Sequence, residues 1–184
     1  MTLITDIHTH RPAPAPGRIV NIDPSEPFGP LLPCQTYSVG IHPWHADRAD
    51  MFGEVERLAA CPAVVAIGET GLDKRRGPSP DIQIPLFRRH IELAEAVGKP
   101  LIVHCVGAWQ ELLALPRPRV MTIIHGFRGK PELARQLTAA GFFLSLGARY
   151  NPASEQFALF RESDMSDASD LSDLSDLSDE SDFS

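Results

Sequence analysis

The chain is poor in the features that mark membrane or secreted proteins. No run of residues is apolar for long enough to span a bilayer, and the first residues enter a strand pattern with no basic, apolar signal region. A cytoplasmic protein is expected. Cysteine is scarce: Cys34, Cys61 and Cys105 are odd in number and lack Cys-x-x-Cys spacing, which argues against a disulfide framework or a thiolate zinc clip. Period-two alternation also turns Cys105 away from its neighbour His104, so a ligand role is not expected of it. Basic residues are missing from 163–184, where seven Asp and one Glu stand with no Lys or Arg. The formal charge of −7 therefore belongs to the tail, since residues 1–162 hold 17 basic against 16 acidic side chains. A near-neutral body neither demands nor excludes a nucleic-acid partner.

With 184 residues and 43% hydrophobic content, the chain can bury one full core. Two regions follow: a folded body over 1–162 and a tail over 163–184. In the tail Ser-Asp-x recurs seven times, with Asp at every third position from Asp164 to Asp182. That period matches neither sheet nor α-helix and leaves too little apolar surface for packing, so disorder is expected.

In the body, four short apolar runs each close on a metal-ligand residue type. The first is Leu3-Ile4-Thr5-Asp6-Ile7-His8-Thr9-His10, where alternation puts both imidazoles on one side of an extended segment. The others are Val64-Val65-Ala66-Ile67-Gly68-Glu69, Leu101-Ile102-Val103-His104 and Val120-Met121-Thr122-Ile123-Ile124-His125. Strands apolar on both faces belong to parallel sheets covered by helices, and in parallel barrels the chemistry sits at the C-terminal strand ends. Ionisable groups closing buried strands need partners, and a cation would satisfy all of them together.

Further strands are expected at Arg18–Ile22, at Thr36–Ile41, which leads into His42-Pro43-Trp44-His45, and at Phe142–Gly147. A proline-rich turn over 11–17 separates the first two. Helices are expected over Asp47–Ala60, with Asp47 or Asp50 as cap and Met51, Val55 and Leu58 as apolar stripe, and over Pro80–Val97, with Ile84, Phe87, Ile91, Ala94 and Val97 on one face. Shorter helices fit Ala108–Leu115 and Pro131–Ala140. His90, among charged residues of the long helix, reads as structural. The alternation of strand and helix predicts an α/β, TIM-type (β/α) barrel. At 184 residues it is short of the usual ~250 and is expected to be incomplete at its C-terminal strand and helix.

Four histidines and a carboxylate suit a borderline divalent ion such as Zn²⁺, Mn²⁺ or Fe²⁺ better than an all-oxygen cage, and do not exclude Mg²⁺. Sites of this kind commonly hold two ions bridged by one carboxylate, which activate water and neutralise a phosphoryl oxygen. Glu69 is the natural bridge, being the one carboxylate that closes a strongly apolar run.

The motifs Asp6-Ile7-His8-Thr9-His10, Gly40-Ile41-His42-Pro43-Trp44, Ile67-Gly68-Glu69-Thr70-Gly71-Leu72-Asp73, Lys99-Pro100-Leu101-Ile102-Val103-His104 and His125-Gly126-Phe127-Arg128-Gly129 resemble, in order, those of the TatD-like metal-dependent deoxyribonucleases. The stretch from His104 to Trp109 and the short loops resemble the compact bacterial branch. The resemblance covers roughly residues 3–152. It implies a TIM barrel that hydrolyses phosphodiester bonds, with DNA as substrate class and divalent metal ions, two per chain (Mg, Mn or Zn); from the sequence itself, no membrane or obligate protein partner is expected. It further implies that His8 and His10 bind one ion, that Glu69 bridges, that His104 and His125 bind the second, and that His42 acts beside the substrate phosphate. Glu69 and His42 are then the residues nearest the chemistry, and Trp44 is a candidate stacking surface or a plain rim aromatic.

The pattern departs from the family at its end, where members close with an apolar strand finishing in Glu-Thr-Asp. The nearest match here is Phe157-Ala158-Leu159-Phe160-Arg161-Glu162-Ser163-Asp164, which makes Asp164 the candidate sixth ligand. The alternative is a catalytically impaired or inactive barrel remnant with an altered C-terminus near residue 153 and an open edge between its first and seventh strands. A PHP-type phosphoesterase also opens with Asp-x-His-x-His, but the Gly-Ile-His-Pro and His-Gly-Phe motifs argue against it.

Overall fold

A computed structural model of the chain describes residues 6–10, 17–147 and 149–161. Eight parallel strands follow one another in chain order: β1 (Asp6–Thr9), β2 (Arg18–Ile22), β3 (Thr36–Val39), β4 (Val64–Asp73), β5 (Leu101–Val106), β6 (Thr122–Ile124), β7 (Phe143–Leu146) and β8 (Phe160–Arg161). Four α-helices occupy the connections: α1 (Phe52–Ala59), α2 (Pro80–Val97), α3 (Trp109–Ala114) and α4 (Pro131–Ala139). The result is a nearly closed TIM-type barrel. The eighth strand is present but only two residues long; it pairs with β7 through Ser145–Phe160 and Leu146–Arg161 and lies beside β1, narrowing the edge expected to stand open. A 3₁₀ segment, Pro152–Phe157, precedes it where an α-helix would complete a regular barrel repeat. The proline-rich turn and Asp164 with its tail lie outside the described residues.

Strand alternation sorts the core. Val39, Ile67, Leu101, Val103, Ile124 and Leu144 pack outward with Phe87, Ala94, Leu112, Ala134 and Leu137 of the helices, while Ile19, Ala66 and Ile102 form a separate small cluster on the opposite strand face. That interior face continues two residues later into Asn21 and His104, so the barrel's apolar floor becomes polar toward its C-terminal rim.

Three elements differ from the sequence expectation. β4 does not stop at Glu69 but runs ten residues to Asp73, with an irregular register between Ile67 and Thr70. The helix expected over 47–60 is a 3₁₀ segment, Pro43–Met51, followed by α1; His42 sits at the head of that segment, its Nδ1 accepting from the Trp44 amide, so neither Asp47 nor Asp50 caps. In α2 the inward face is Gln83, Leu86, Phe87, His90 and Ala94, with Ile84 and Ile91 half-buried and Val97 at the surface. Two polar residues displace apolar ones because the chain offers them backbone partners. Gln83 Nε2 donates to the carbonyls of Asp73 and Pro78, its Oε1 accepts from the Asp73 amide, and His90 Nε2 accepts from the Ile41 amide. Gly98 ends α2 in the left-handed conformation, at φ 64°, as its sequence position suggests. No described helix is long and apolar enough to cross a membrane.

Candidate metal centre

The residues singled out from sequence converge on one buried carboxylate. Glu69 is 1% exposed and its two oxygens face different histidines. On one side, Oε2 lies 3.1 Å from His8 Nε2 and 3.4 Å from His10 Nε2. On the other, Oε1 lies 2.6 Å from His125 Nε2, 2.9 Å from His104 Nδ1 and 3.3 Å from His42 Nε2. The alternation argument for β1 holds: the His8 and His10 nitrogens are 3.1 Å apart. His8, His10 and Glu69 form one group able to grip an ion, and His42, Glu69 and His104 a second, with His125 on the same oxygen.

The backbone that places Glu69 is held by its neighbours. Its amide donates to Asn21 Oδ1 at 2.6 Å, and Asn21 also accepts from Ser38 Oγ. Gly40 lets β3 approach, because a Cβ there would stand 2.6 Å from the Glu69 carbonyl oxygen. Simple alternation from Ala66 would send Glu69 outward with Ile67; the irregular register after Ile67 turns it inward, a common use of a bulge.

Charge follows from this crowding. Burial opposes ionisation of Glu69, yet the fields of His125, His42 and His8 and the nearness of His10 outweigh it and hold the carboxyl well below its usual range. Burial lowers the His42 pKa, with Glu69 acting against it. Burial also opposes charge on His104, but bonds to Asp73 and Glu69 overcome it and raise its pKa. Burial resists charge on Asp73 as well, and donors from His104, Trp44 and the Arg75 amide push it down to about 2. Cys105 lies on the opposite strand face, buried, and its thiol pKa is pushed up by desolvation.

The donor set fits a cation. Glu69 Oε2 and His8 Nδ1 are buried without a hydrogen bond among the described residues, although Oε2 has two imidazole nitrogens within 3.4 Å. Lone pairs that face each other at such distances need a cation or a proton between them. A cleft of about 640 Å³ opens over these groups, walled by Trp44 and His45 and by Asp23, Glu26, Phe28 and Leu32 of the loop after β2.

Two carboxylates here were not singled out from sequence. Asp73 closes β4 and accepts from Trp44 Nε1 at 2.6 Å. Asp23, next after β2, accepts from the His42 amide at 3.0 Å and lies 2.9 Å from His45 Nδ1. Both obey the rule that revealed the others, a strand closing on a metal-ligand residue type. Asn21 interrupts the apolar run before Asp23, and Glu69 masks Asp73.

A family profile described as TatD related DNase matches residues 34–166. The chain belongs to this family. Among its TatD relatives, the 3'-5' ssDNA/RNA exonuclease TatD of Erwinia billingiae (strain Eb661) is 38% identical over 117 residues, covering 60% of this chain and 44% of that protein. A Bacillus subtilis (strain 168) protein called uncharacterized metal-dependent hydrolase YabD is 38% identical over 119 residues, 60% of this chain and 46% of its own. The chain thus spans less than half the length of these TatD relatives. Among solved structures, a TatD-family hydrolase from Entamoeba histolytica superposes with a TM-score of 0.56 at 24% identity, covering 61% of this chain and 41% of that one. YJJV, a TatD homologue from Escherichia coli K12, gives 0.52 at 20% identity over 71% of this chain and 57% of its own. These two establish likeness of fold.

Proposed function

We propose that the chain is a divalent-metal-dependent hydrolase of phosphodiester bonds that acts on DNA, with single strands as substrate. The observation that supports this most is the division of histidine nitrogens between the two oxygens of one buried Glu69. In this reading His8 and His10 hold one ion, His104 and His125 the other, and Glu69 bridges. Ions held there would supply Lewis acidity toward a phosphate oxygen and would lower the pKa of water. The substrate class and the metal dependence accord with the names of the Erwinia and Bacillus relatives. A nucleic-acid substrate also accords with a cytoplasmic location.

His42 has a different part. Its Nδ1 accepts from the Trp44 amide at 3.2 Å, so the neutral ring carries its proton on Nε2, the nitrogen that faces the centre. Burial favours that neutral form. His42 is thus a hydrogen-bond donor to a phosphate oxygen rather than a ligand. Pro43 keeps its backbone extended, and the Asp23 carboxylate anchors its amide.

The test is to strip the protein with a chelator, restore Mg²⁺, Mn²⁺ or Zn²⁺ separately, and follow nucleotide release from single-stranded DNA. Activity should return with at least one ion and vanish in Glu69→Gln. His42→Ala should lower kcat about 100-fold with the number of bound ions unchanged. No hydrolysis with any of the three ions overturns the proposed activity. A second reading, a barrel that binds metal without turnover, draws on the two-residue length of β8; full ion binding with no nucleotide release would favour it.

A further inference from the structure

The geometry points to Asp73 as the positioning residue that fixes the tautomer of His104 and thereby makes the second ion site. This rests on the two-ion reading above. Both oxygens of Asp73 are already spoken for by donors: Oδ1 accepts from the Arg75 amide at 2.7 Å and the Arg76 amide at 3.1 Å, and Oδ2 accepts from the Trp44 indole at 2.6 Å. Oδ2 also lies 3.2 Å from His104 Nε2. A carboxylate surrounded in this way can only accept, so the neutral His104 ring, the form that binds a cation, carries its proton on Nε2. The consequence falls on the other nitrogen. His104 Nδ1 then presents a bare lone pair to Glu69 Oε1 at 2.9 Å, and two acceptors at that separation form a cradle for a cation.

Asp73 is itself fixed from behind. Its amide donates to Gln83 Oε1 and its carbonyl accepts from Gln83 Nε2, so the end of β4 is clamped to the first turns of α2. Asparagine cannot reproduce the arrangement, because its amide group would face either two backbone N–H groups or the indole and imidazole N–H groups.

The experiment is a metal titration of the intact chain, with Mn²⁺ and Zn²⁺ read by calorimetry. Wild type should bind two ions. Asp73→Asn should keep the affinity of one site, that of His8 and His10, and weaken the other 10- to 100-fold. A general loosening of the fold would weaken both alike. Trp44→Phe removes the indole donor but leaves the Asp73–His104 bond, and should bind both ions as wild type does. Affinities unchanged from wild type at both sites in Asp73→Asn overturn the inference, as does an equal loss at both. Fewer than two ions on wild type overturns the two-ion reading beneath it. Should Asp73→Asn fail to fold, ¹⁵N spectra of the wild-type histidines decide: a proton on Nε2 of His104 supports the assignment, and a proton on Nδ1 alone refutes it.

Discussion

His90 shows how a titratable side chain can serve the fold alone. It is fully buried, its Nε2 accepts from the Ile41 amide at 3.0 Å, and its Nδ1 donates to the Leu86 carbonyl at 2.9 Å. Both nitrogens are matched only in the neutral ring, and desolvation pushes its pKa from 6.5 to about 4. The unfolded chain therefore takes up this proton near pH 6.5, whereas the folded chain takes it up only near 4. The His90 share of stability should fall as pH drops below 6.5 and be fully lost below 4, a loss of about 3 kcal/mol. Urea denaturation across that range, compared with His90→Gln, checks this: the variant should have the shallower slope. The sequence shows a histidine among charged helical neighbours, which is enough to read it as structural. Its burial depends on the Ile41 amide, far away in the chain, and no local pattern reveals that.

At the scale of elements, the meeting of β3 and β4 decides where the carboxylate points. Gly40 faces Gly68 and Glu69 so closely that a Cβ would sit 2.6 Å from one backbone atom and 2.7 Å from another, and backbone cannot swing aside as a side-chain tip can. Gly40→Ala should destabilise the fold by roughly 1–3 kcal/mol and weaken ion binding at both sites, since it moves the residue they share. Thermal melts and metal titration together measure the two effects. The strands themselves were legible from their apolar runs, and so were the histidines at the ends of β1 and β5; β5 pairs with β6 in regular register, while the β1 register shifts between Asp6 and Thr9 and still leaves His8 and His10 together. Glu69 was found for a reason that does not hold: it lies within β4 and would face outward but for the shifted register after Ile67. The α2 face was misjudged for a related reason, since Gln83 and His90 are buried by bonds to distant backbone, which periodicity of apolar residues does not register.

For the whole molecule, the ladders are uneven. β4 and β5 share a long register from Ile67–Leu101 to Asp73–Val106, whereas β7 and β8 share two residue pairs. Hydrogen exchange should accordingly be slowest in β4 and β5 and fastest in β8 and β1. Ions held between β1 and the strands β4, β5 and β6 would tie the weak edge to the strong middle; at 100 times Kd the gain is about 2.7 kcal/mol, and exchange in β1 should slow more than in β5. Equal slowing everywhere would deny that link. The alternation of strands and helices was enough to read the barrel from sequence, but the 3₁₀ connection before β8 was not, because Pro152–Phe157 carries no helical apolar stripe. One arrangement gives the molecule an optical use. It has two tryptophans, and they sit in different surroundings: Trp109 packs against Phe127, while the Trp44 indole is bonded to Asp73 with the His104 ring centre 6.1 Å away. With Trp109 replaced by phenylalanine, the emission of the remaining fluorophore would come from the rim alone, so that events at the carboxylate centre become visible as a change in colour and brightness of light.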